Sequence, residues 1–536
     1  MTASPRNGGR AWIGIDLGTQ SARAVVVGEN GSVLGQGSTP LDGTRWPDGR
    51  HEQNADDWWD AVATASRQAM AEVGSVEIAG LACCGTSGTV LLVEEVDGDP
   101  ARPLGPGLMY DDSRAVEEAA RVQELPAPVW AEAGLNPQRT WALPKALWLL
   151  RDGPPVGRVR LAHQVDVVNS RLIGRPAATD TSNALKSGID PVAGAWPYED
   201  LERLGLDPRL LPSLVSPGQV LGEVSAAASE ATGIPVGVPV IAGMTDGCAA
   251  QIGAGVLRPG QWNIVVGTTI VLKGVSDSLL RDPTGALYSH RSPDGRWWPG
   301  GASSAGAGLL SQEFDPSGYD VLNARASERE PAGCVTYPLA GVGERFPFRR
   351  ADARRLTLGE PRDDVDRYAA ILQGVGFVER LCLDHLRSLG ADVGDEVTLT
   401  GGATRSAYWT QLQADILGRQ VSVPQLAEGA VGMAVLAASH ALAEEAGDGA
   451  AGSHAAAVEA GSRALVAEAG DGAAASRALG LTEAAKRLLG PVTGYQPRTD
   501  ARSRFDEPYA ALVKELRERG WIGEDLATTA LSGVNS

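Results

Sequence analysis

Four short stretches of this 536-residue chain carry residue types that suit a phosphate-bearing molecule. In "IGIDLGTQSARAVVV" Asp16 stands where a strand-like run ends and the turn Gly18-Thr19-Gln20-Ser21 begins. In "WNIVVGTTIVLKGV" the turn Gly267-Thr268-Thr269 again separates two β-rich runs. "EVTLT" followed by "GGATRSAYWTQLQADILG" reads as a strand, the pair Gly401-Gly402 and a helix. Turn amides and threonine hydroxyls are donors for phosphate oxygens, and a glycine pair at a helix start lets a ligand approach the backbone. Asp246, in "GVPVIAGMTDGCAAQIGAGV", stands at a strand exit between the two Gly-Thr turns, flanked by the small residues Thr245 and Gly247. Each stretch also has a plain structural reading: hydroxyls in a hairpin satisfy loose backbone groups, and an aspartate at a helix start is a common cap.

The elements that must position these residues read as α/β. After the first hairpin, "NADDWWDAVATASRQAMAEVG" places Trp59, Val62, Ala63, Ser66, Met70 and Val73 on one helical face, with Asn54 as N-cap and Gly74 as terminator. "VEIAGLACCG" follows as a buried strand. The return of a Gly-Thr hairpin in the middle of the chain predicts an internal duplication with a boundary near Arg258. "DDVDRYAAILQGVGFVERLCLDHLRSLG" predicts a long amphipathic helix stopped by Gly390. Residues 440–480 are rich in Ala and Gly, and "EAGDGAA" occurs at Glu445 and again at Glu468, which predicts a surface insertion in the second domain.

Composition narrows the classes. The length exceeds what one hydrophobic core usually serves. A formal charge of −19 disfavours nucleic acid and anionic membrane as partners, since both select positive surfaces. No apolar run approaches the ~20 residues of a membrane span. The opening "MTASPRNGGR" lacks a signal peptide's apolar core, so a cytoplasmic location is expected. Five cysteines without a C-x-x-C pair argue for reduced thiols. His51, His163 and His290 show no metal-ligand spacing and receive no role.

Taken together, the acid with its Gly-Thr hairpin, the second hairpin and the Gly-Gly turn resemble the actin-like fold of sugar kinases and heat-shock ATPases. That resemblance implies two actin-like (ribonuclease H-like) α/β ATPase domains with an interdomain cleft. Over residues 11–440 and the "GYQP" tail the chain is similar to the FGGY carbohydrate kinases, through "GTSGTVLLV", "LMYDDSRA", "LPKALWLL", "DTSNALKSGIDP", "AGMTDGCAAQIGAG", "GTTIVLK", "YPLAGVGERFPF" and "GGATRSAYWTQLQAD". "GTSGTVLL", "SNALKSG", "GTTIVLK" and "GERFPF" resemble more narrowly the D-ribulokinase, xylulokinase-like branch of cyanobacteria and plants. The resemblance implies a sugar- and phosphate-binding domain over 11–257, an ATP-binding domain over 258–495 carrying the 440–480 insertion, and a tail helix over 496–536.

For function, the resemblance implies ATP- and Mg2+-dependent phosphorylation of a pentulose, D-ribulose first, with D-xylulose, L-ribulose or another sugar or polyol as alternatives. Asp246 is the family's catalytic base and touches the sugar. Asp16 then holds hydrated Mg2+ and borders the sugar, since two ionised carboxylates at one hydroxyl would repel. Gly18, Thr19, Gln20 and Ser21 form one phosphate clamp, and Gly267, Thr268 and Thr269 the other. Thr86 and Ser87 contact substrate, Ser87 standing where typical xylulokinases carry a histidine. Tyr110, Asp112 and Arg114 form either the next layer of that pocket or a structural ion pair. Gly401, Gly402, Ser406 and Trp409 match the adenosine turn, Trp409 being either a wall for the base or a core residue; Ala403 replaces a common third glycine. A homodimer is a possible assembly. Two other classes stay open: a silent sugar or nucleotide sensor of the same fold, and an ATPase or polyphosphate-processing enzyme.

Overall fold

In the computed structural model, described over residues 9–125, 127–153, 157–446 and 471–534, the first hairpin forms as its sequence dictates. Strand β1 (Arg10–Leu17) and β2 (Ser21–Gly28) are antiparallel, with Asp16 opposite Arg23. β1 is buried on both faces from Ala11 to Ile15, as its nearly unbroken apolar run requires of a central strand. β3 (Val33–Pro40) adds to β2, while β4 (Glu77–Gly85) runs parallel to β1 and sets Asp16 beside Cys84. β5 (Val220–Glu223) and β6 (Pro239–Ile241) complete the order β3-β2-β1-β4-β6-β5.

The second Gly-Thr hairpin opens a sheet of the same plan. β7 (Trp262–Val266) and β8 (Ile270–Gly274) are antiparallel, and β9 (Trp297–Ser303) follows on β8. β10 (Glu396–Thr400) and β11 (Gln420–Pro424) run parallel beyond β7, and β12 (Val492–Tyr495) returns antiparallel. The order β9-β8-β7-β10-β11-β12 repeats the pairing plan of the first sheet, with two differences: the strand Tyr288–Arg291 adds a seventh member beyond β9, and the edge strand β12 follows its neighbour in the chain where β5 precedes its own. The duplication read from two hairpins therefore extends to the central strands of both sheets. A further difference lies at the turns: Leu17 pairs with Ala22 whereas Val266 pairs with Ile270, so the first loop closes one residue wider.

By contacts the chain divides into a first unit of Met1–Gly255, His290–Arg296 and Leu426–Gly490, and a second of Val256–Ser289, Trp297–Gln425 and Pro491–Ser536. The break at Gly255 and Val256 falls close to Arg258, but the second stretch of chain also returns to the first unit, which a linear reading cannot see. The 440–480 region is part of that return. Helices from Gly429–Ala446 and Asp471–Leu488 pack on each other and, through the former, on β1 and β4; residues 447–470 lie outside the described residues.

In α1 (Ala55–Ala71), capped by Asn54, Trp59, Met70 and Val73 pack partly buried on the core beside Val62, as expected, and Trp58 is a further, fully buried ring whose Nε1 donates to buried Gln53 at 2.8 Å. Two other expectations are corrected. The helix α2 starts with Asp246 (Asp246–Gly253), five residues past the end of β6, so a short loop separates the acid from the strand. The long helix α3 (Asp364–Ser388) ends before Gly390 as expected but is not amphipathic: it is enclosed on nearly all sides, from Val365 to Leu386. The C-terminal tail forms two helices, Ala501–Glu518 and Glu524–Ser532, whose Phe505, Tyr509, Leu512 and Ala527 are buried with α3 in the second unit's core.

Candidate active site

Asp16 and Asp246 come together in the first unit. β1 carries Asp16 to its penultimate position, and the bridge between Gly85 at the end of β4 and Thr245 carries the start of α2 alongside. Burial pushes the Asp16 carboxyl up first, and the charges of Asp246 and Glu428 push it further; a hydrogen bond from Cys84 and the charge of Arg23 act the other way. The Cys84 thiol donates to Asp16 Oδ1 at 3.4 Å. Asp246 is exposed at the first helical position, where its Oδ1 accepts the Gly247 N–H at 2.7 Å. One carboxylate thus sits sheltered and the other open to solvent, the asymmetry that acid–base work needs.

A helix start closes in on the same spot. Gly429 opens the helix Gly429–Ala446, α5 if α4 is Ala407–Leu417, and a Cβ on it would lie 3.2 Å from Asp16 Cγ. The approach depends on small residues beneath: a Cβ on Gly14 would lie 1.7 Å from the Ala430 carbonyl oxygen, and one on Gly432 would lie 2.0 Å from that of Ala249. Cys84, Glu428 and Gly429 are site neighbours that motif reading missed. Glu428 and Gly429 arrive from the far end of the chain, so no local signal marks them.

The turn after β1 is held by its own backbone and by its neighbours. Gly18 N–H donates to the Ser21 carbonyl at 3.0 Å, and buried Gln53 donates through Nε2 to the Thr19 carbonyl at 2.7 Å. Gln20 is exposed, with its carbonyl taking the Leu41 N–H. Beyond β4, Thr86 and Ser87 separate in role. The Thr86 hydroxyl donates to Gln164 Oε1 at 2.9 Å and contacts Thr89 Oγ1 at 2.6 Å, so it closes the turn. Ser87 Oγ is buried and has no hydrogen-bond partner among the described residues. Its carbonyl accepts from Lys186 Nζ at 3.2 Å. A buried hydroxyl without a partner costs roughly 1–3 kcal/mol.

Tyr110, Asp112 and Arg114 also part company. Asp112 is fully buried and takes Arg114 and the His51 N–H, and Arg114 further bridges to Glu52 at 2.7 Å; this is the structural ion pair. Tyr110 is 41% exposed, and its hydroxyl is pushed up by burial, then by Asp111, with Asp246 also raising it. Asp111 pairs with His51 Nδ1 at 2.6 Å and with Arg45. Beneath the loop, the fully buried Lys145 donates to the Met109 carbonyl at 2.7 Å, its ammonium pushed down to about 7 by burial.

The second unit holds the remaining candidates. Gly267 N–H donates to the Thr269 carbonyl, and Ala307 and Gly308 N–H donate to the Gly267 and Thr268 carbonyls at 2.8 and 3.1 Å. That leaves Thr268 exposed at the tip. The stretch "SSAGAG" beside it escaped the sequence reading, although a Cβ on Gly306 would lie 2.7 Å from the Thr268 carbonyl oxygen. Gly401 has φ +91 and no room for a Cβ, which would lie 2.6 Å from the Val266 carbonyl oxygen; Gly402 next to it faces open space. Ser406 caps α4 by accepting the Trp409 N–H at 3.1 Å. Trp409 is only 5% exposed and packs in the core with Leu412 and Ile416, so the ring is a packing residue and not a wall for a ligand. Ala403 is buried too, its methyl turned into the core.

Comparison with known proteins agrees with both hairpins. The sequence pattern of "FGGY family of carbohydrate kinases, N-terminal domain" matches residues 11–253, and that of the C-terminal domain matches 262–441. The chain belongs to the FGGY family of carbohydrate kinases. It is thus an enzyme of a family that phosphorylates sugars. This FGGY kinase is 32% identical to a xylulose kinase of Streptomyces coelicolor over 81% of its own length and 89% of the relative's. It is 26% identical to that of Escherichia coli over 76% and 85%. Its fold matches a xylulose kinase from Rhodospirillum rubrum at TM-score 0.77 and 24% identity, covering 95% and 99% of the two chains. A Plasmodium falciparum glycerol kinase with ADP matches at 0.76 and 17%, over 96% and 99%. The FGGY kinase thus has the two-domain actin-like ATPase fold. Among its described residues no helix is long and apolar enough to cross a membrane.

Proposed function

We propose that the protein transfers the γ-phosphoryl group of ATP to a hydroxyl of a pentulose, D-ribulose before others. The observation that carries this reading is the pairing of sheltered Asp16 with open Asp246 at the chain exits that also bear Ser87. Asp246 takes the proton of the attacking hydroxyl as its oxygen bonds to phosphorus, and the bond to the departing ADP breaks. Asp16, whose burial and neighbours hold its proton affinity up, gains most from a cation at its oxygens.

Magnesium fits there: carboxylate oxygens are hard donors, and the ion commonly takes one or two of them plus phosphates and water. When bound, it neutralises charge on the phosphate oxygens. Asp16 would hold it through water, while the turns Gly18 to Ser21 and Gly267 to Thr269 would bind the phosphates through their hydroxyls and through those amides that the turns do not already use, the Gly18 and Gly267 N–H groups being committed. Gly401, Gly402 and Ser406 receive the adenosine.

Ser87 sets the sugar preference. Its buried, partnerless hydroxyl is satisfied by one sugar hydroxyl, at the position where the resemblance sets the histidine of typical xylulokinases. This supports the D-ribulokinase-like branch. D-Xylulose is the second reading, favoured by the xylulose kinases among the relatives. Measurement of kcat/KM over D-ribulose, D-xylulose, L-ribulose, ribitol and glycerol decides: the highest value is expected for D-ribulose, and a maximum at D-xylulose overturns that choice while leaving the pentulose kinase in place. No ADP release with any of them would sink the reading as a whole.

A further inference from the structure

We infer that His290 is a positioning residue for Asp246, acting through Ser182; the inference rests on the reading of Asp246 as the base. The segment His290–Arg296 lies in sequence between residues of the second unit yet packs with the first. There the His290 ring is buried, with Nδ1 3.1 Å from Ser182 Oγ. That oxygen accepts the Thr245 N–H at 3.2 Å and lies 3.4 Å from Thr245 Oγ1. Thr245 is the N-cap of α2, in extended backbone at φ −67 and ψ 154, and its carbonyl receives the Cys248 and Ala249 N–H groups. The next residue is Asp246.

Ser182 is itself tied down at the backbone, its N–H donating to buried Asp180 at 2.9 Å. Only its hydroxyl can turn. A serine hydroxyl has one proton and rotates to suit its surroundings. The Cys248 thiol at 3.8 Å and Thr245 Oγ1 are poorer acceptors for that proton than an imidazole nitrogen at 3.1 Å. With the proton on the Nδ1 side, a lone pair of Ser182 faces the Thr245 N–H; if Nδ1 carries the proton instead, Ser182 accepts from both. In either arrangement the imidazole selects the rotamer that fixes the peptide entering Asp246. Without it the hydroxyl swings among alternatives and the base loses alignment, which costs rate rather than nucleotide affinity.

The test compares His290→Ala, His290→Asn, His290→Gln, Ser182→Ala and the double variant His290→Ala/Ser182→Ala. Turnover is normalised to the nucleotide-binding fraction measured by calorimetry. His290→Ala should lower kcat about three- to tenfold, the range one hydrogen bond supplies, with KM for ATP unchanged. Asn sets its amide where Nδ1 stands and should restore most of kcat, whereas Gln reaches the Nε2 position and should not. The double variant should be no worse than the worse single one. Equal rates for Asn and Gln, additive losses, or a wild-type kcat in His290→Ala would each overturn the positioning role while leaving the base. Full turnover by Asp246→Asn would remove the base and this inference with it.

Discussion

Asp246 and Ser87 make opposite demands at the residue scale. Asp246→Asn keeps the volume and the helix start but cannot take a proton, so kcat should fall by about 10² to 10⁴ while calorimetry still finds nucleotide binding. An unchanged kcat would deny the assignment. Ser87→Ala deletes a hydroxyl that the protein leaves without a partner, so the folded state loses nothing of its own there. The loss should appear only with sugar: kcat/KM for the preferred pentulose is expected to drop about ten- to a hundredfold, and for glycerol much less. Equal losses for all substrates would reduce Ser87 to a turn residue. Neither the partnerless hydroxyl of Ser87 nor the committed hydroxyl of Thr86 could be told apart from "GTSG", since both hinge on where Gln164 lies.

Among the elements, two helices carry the testable strain. The helix Gly429–Ala446 touches β1 only because Gly14 has no side chain; Gly14→Ala places a methyl 1.7 Å from a backbone oxygen and must push the helix off. A loss of about 3 kcal/mol or more is expected in denaturant titration, and activity should go with it because Gly429 leaves Asp16. A neutral Gly14→Ala would mean that the helix is not held so closely. In α3, Glu379 is buried, accepts from Gln413 at 2.6 Å, and is pushed up from 4.5 to about 8 by burial. Between those values the unfolded chain releases this proton and the folded one keeps it, so stability falls as pH rises through the window and levels off above it. Glu379→Gln removes that term. Its melting temperature should gain on the wild type from pH 4.5 up to about 8 and then stay parallel; a constant offset across this range would show Glu379 already ionised.

For the whole molecule, the proposed placement of the adenosine turn in the second unit and of Ser87 in the first predicts that donor and acceptor binding can be damaged separately. Gly402 faces open space, so Gly402→Val should fold with an unchanged melting temperature yet raise KM for ATP, leaving KM for the sugar near its original value. Gly401→Val, at φ +91 and against the Val266 carbonyl, should instead unfold the second unit. If Gly402→Val affects the sugar and not the nucleotide, the adenosine turn lies elsewhere.

Local chemistry decided what the sequence could reveal. Apolar runs broken by Gly-Thr turns fix hairpins because strand propensity and turn conformation act over a few residues, and their recurrence exposed the duplication that the central strands of the two sheets share. The places of Asp16 at a strand end and of Gly18, Gly267 and Gly401 in turns were legible for the same reason: neighbouring residues dictate the backbone there. Tertiary structure alone decided that the rings of Trp58 and Trp409 are buried in the core, because burial depends on what the opposite face meets. It alone returned Leu426–Gly490 and His290–Arg296 to the first unit, bringing Gly429 to Asp16 and His290 to Ser182. Contacts between residues hundreds of positions apart leave no spacing to read; they arise when close-packed glycines and buried polar groups find the partners that only the folded chain supplies.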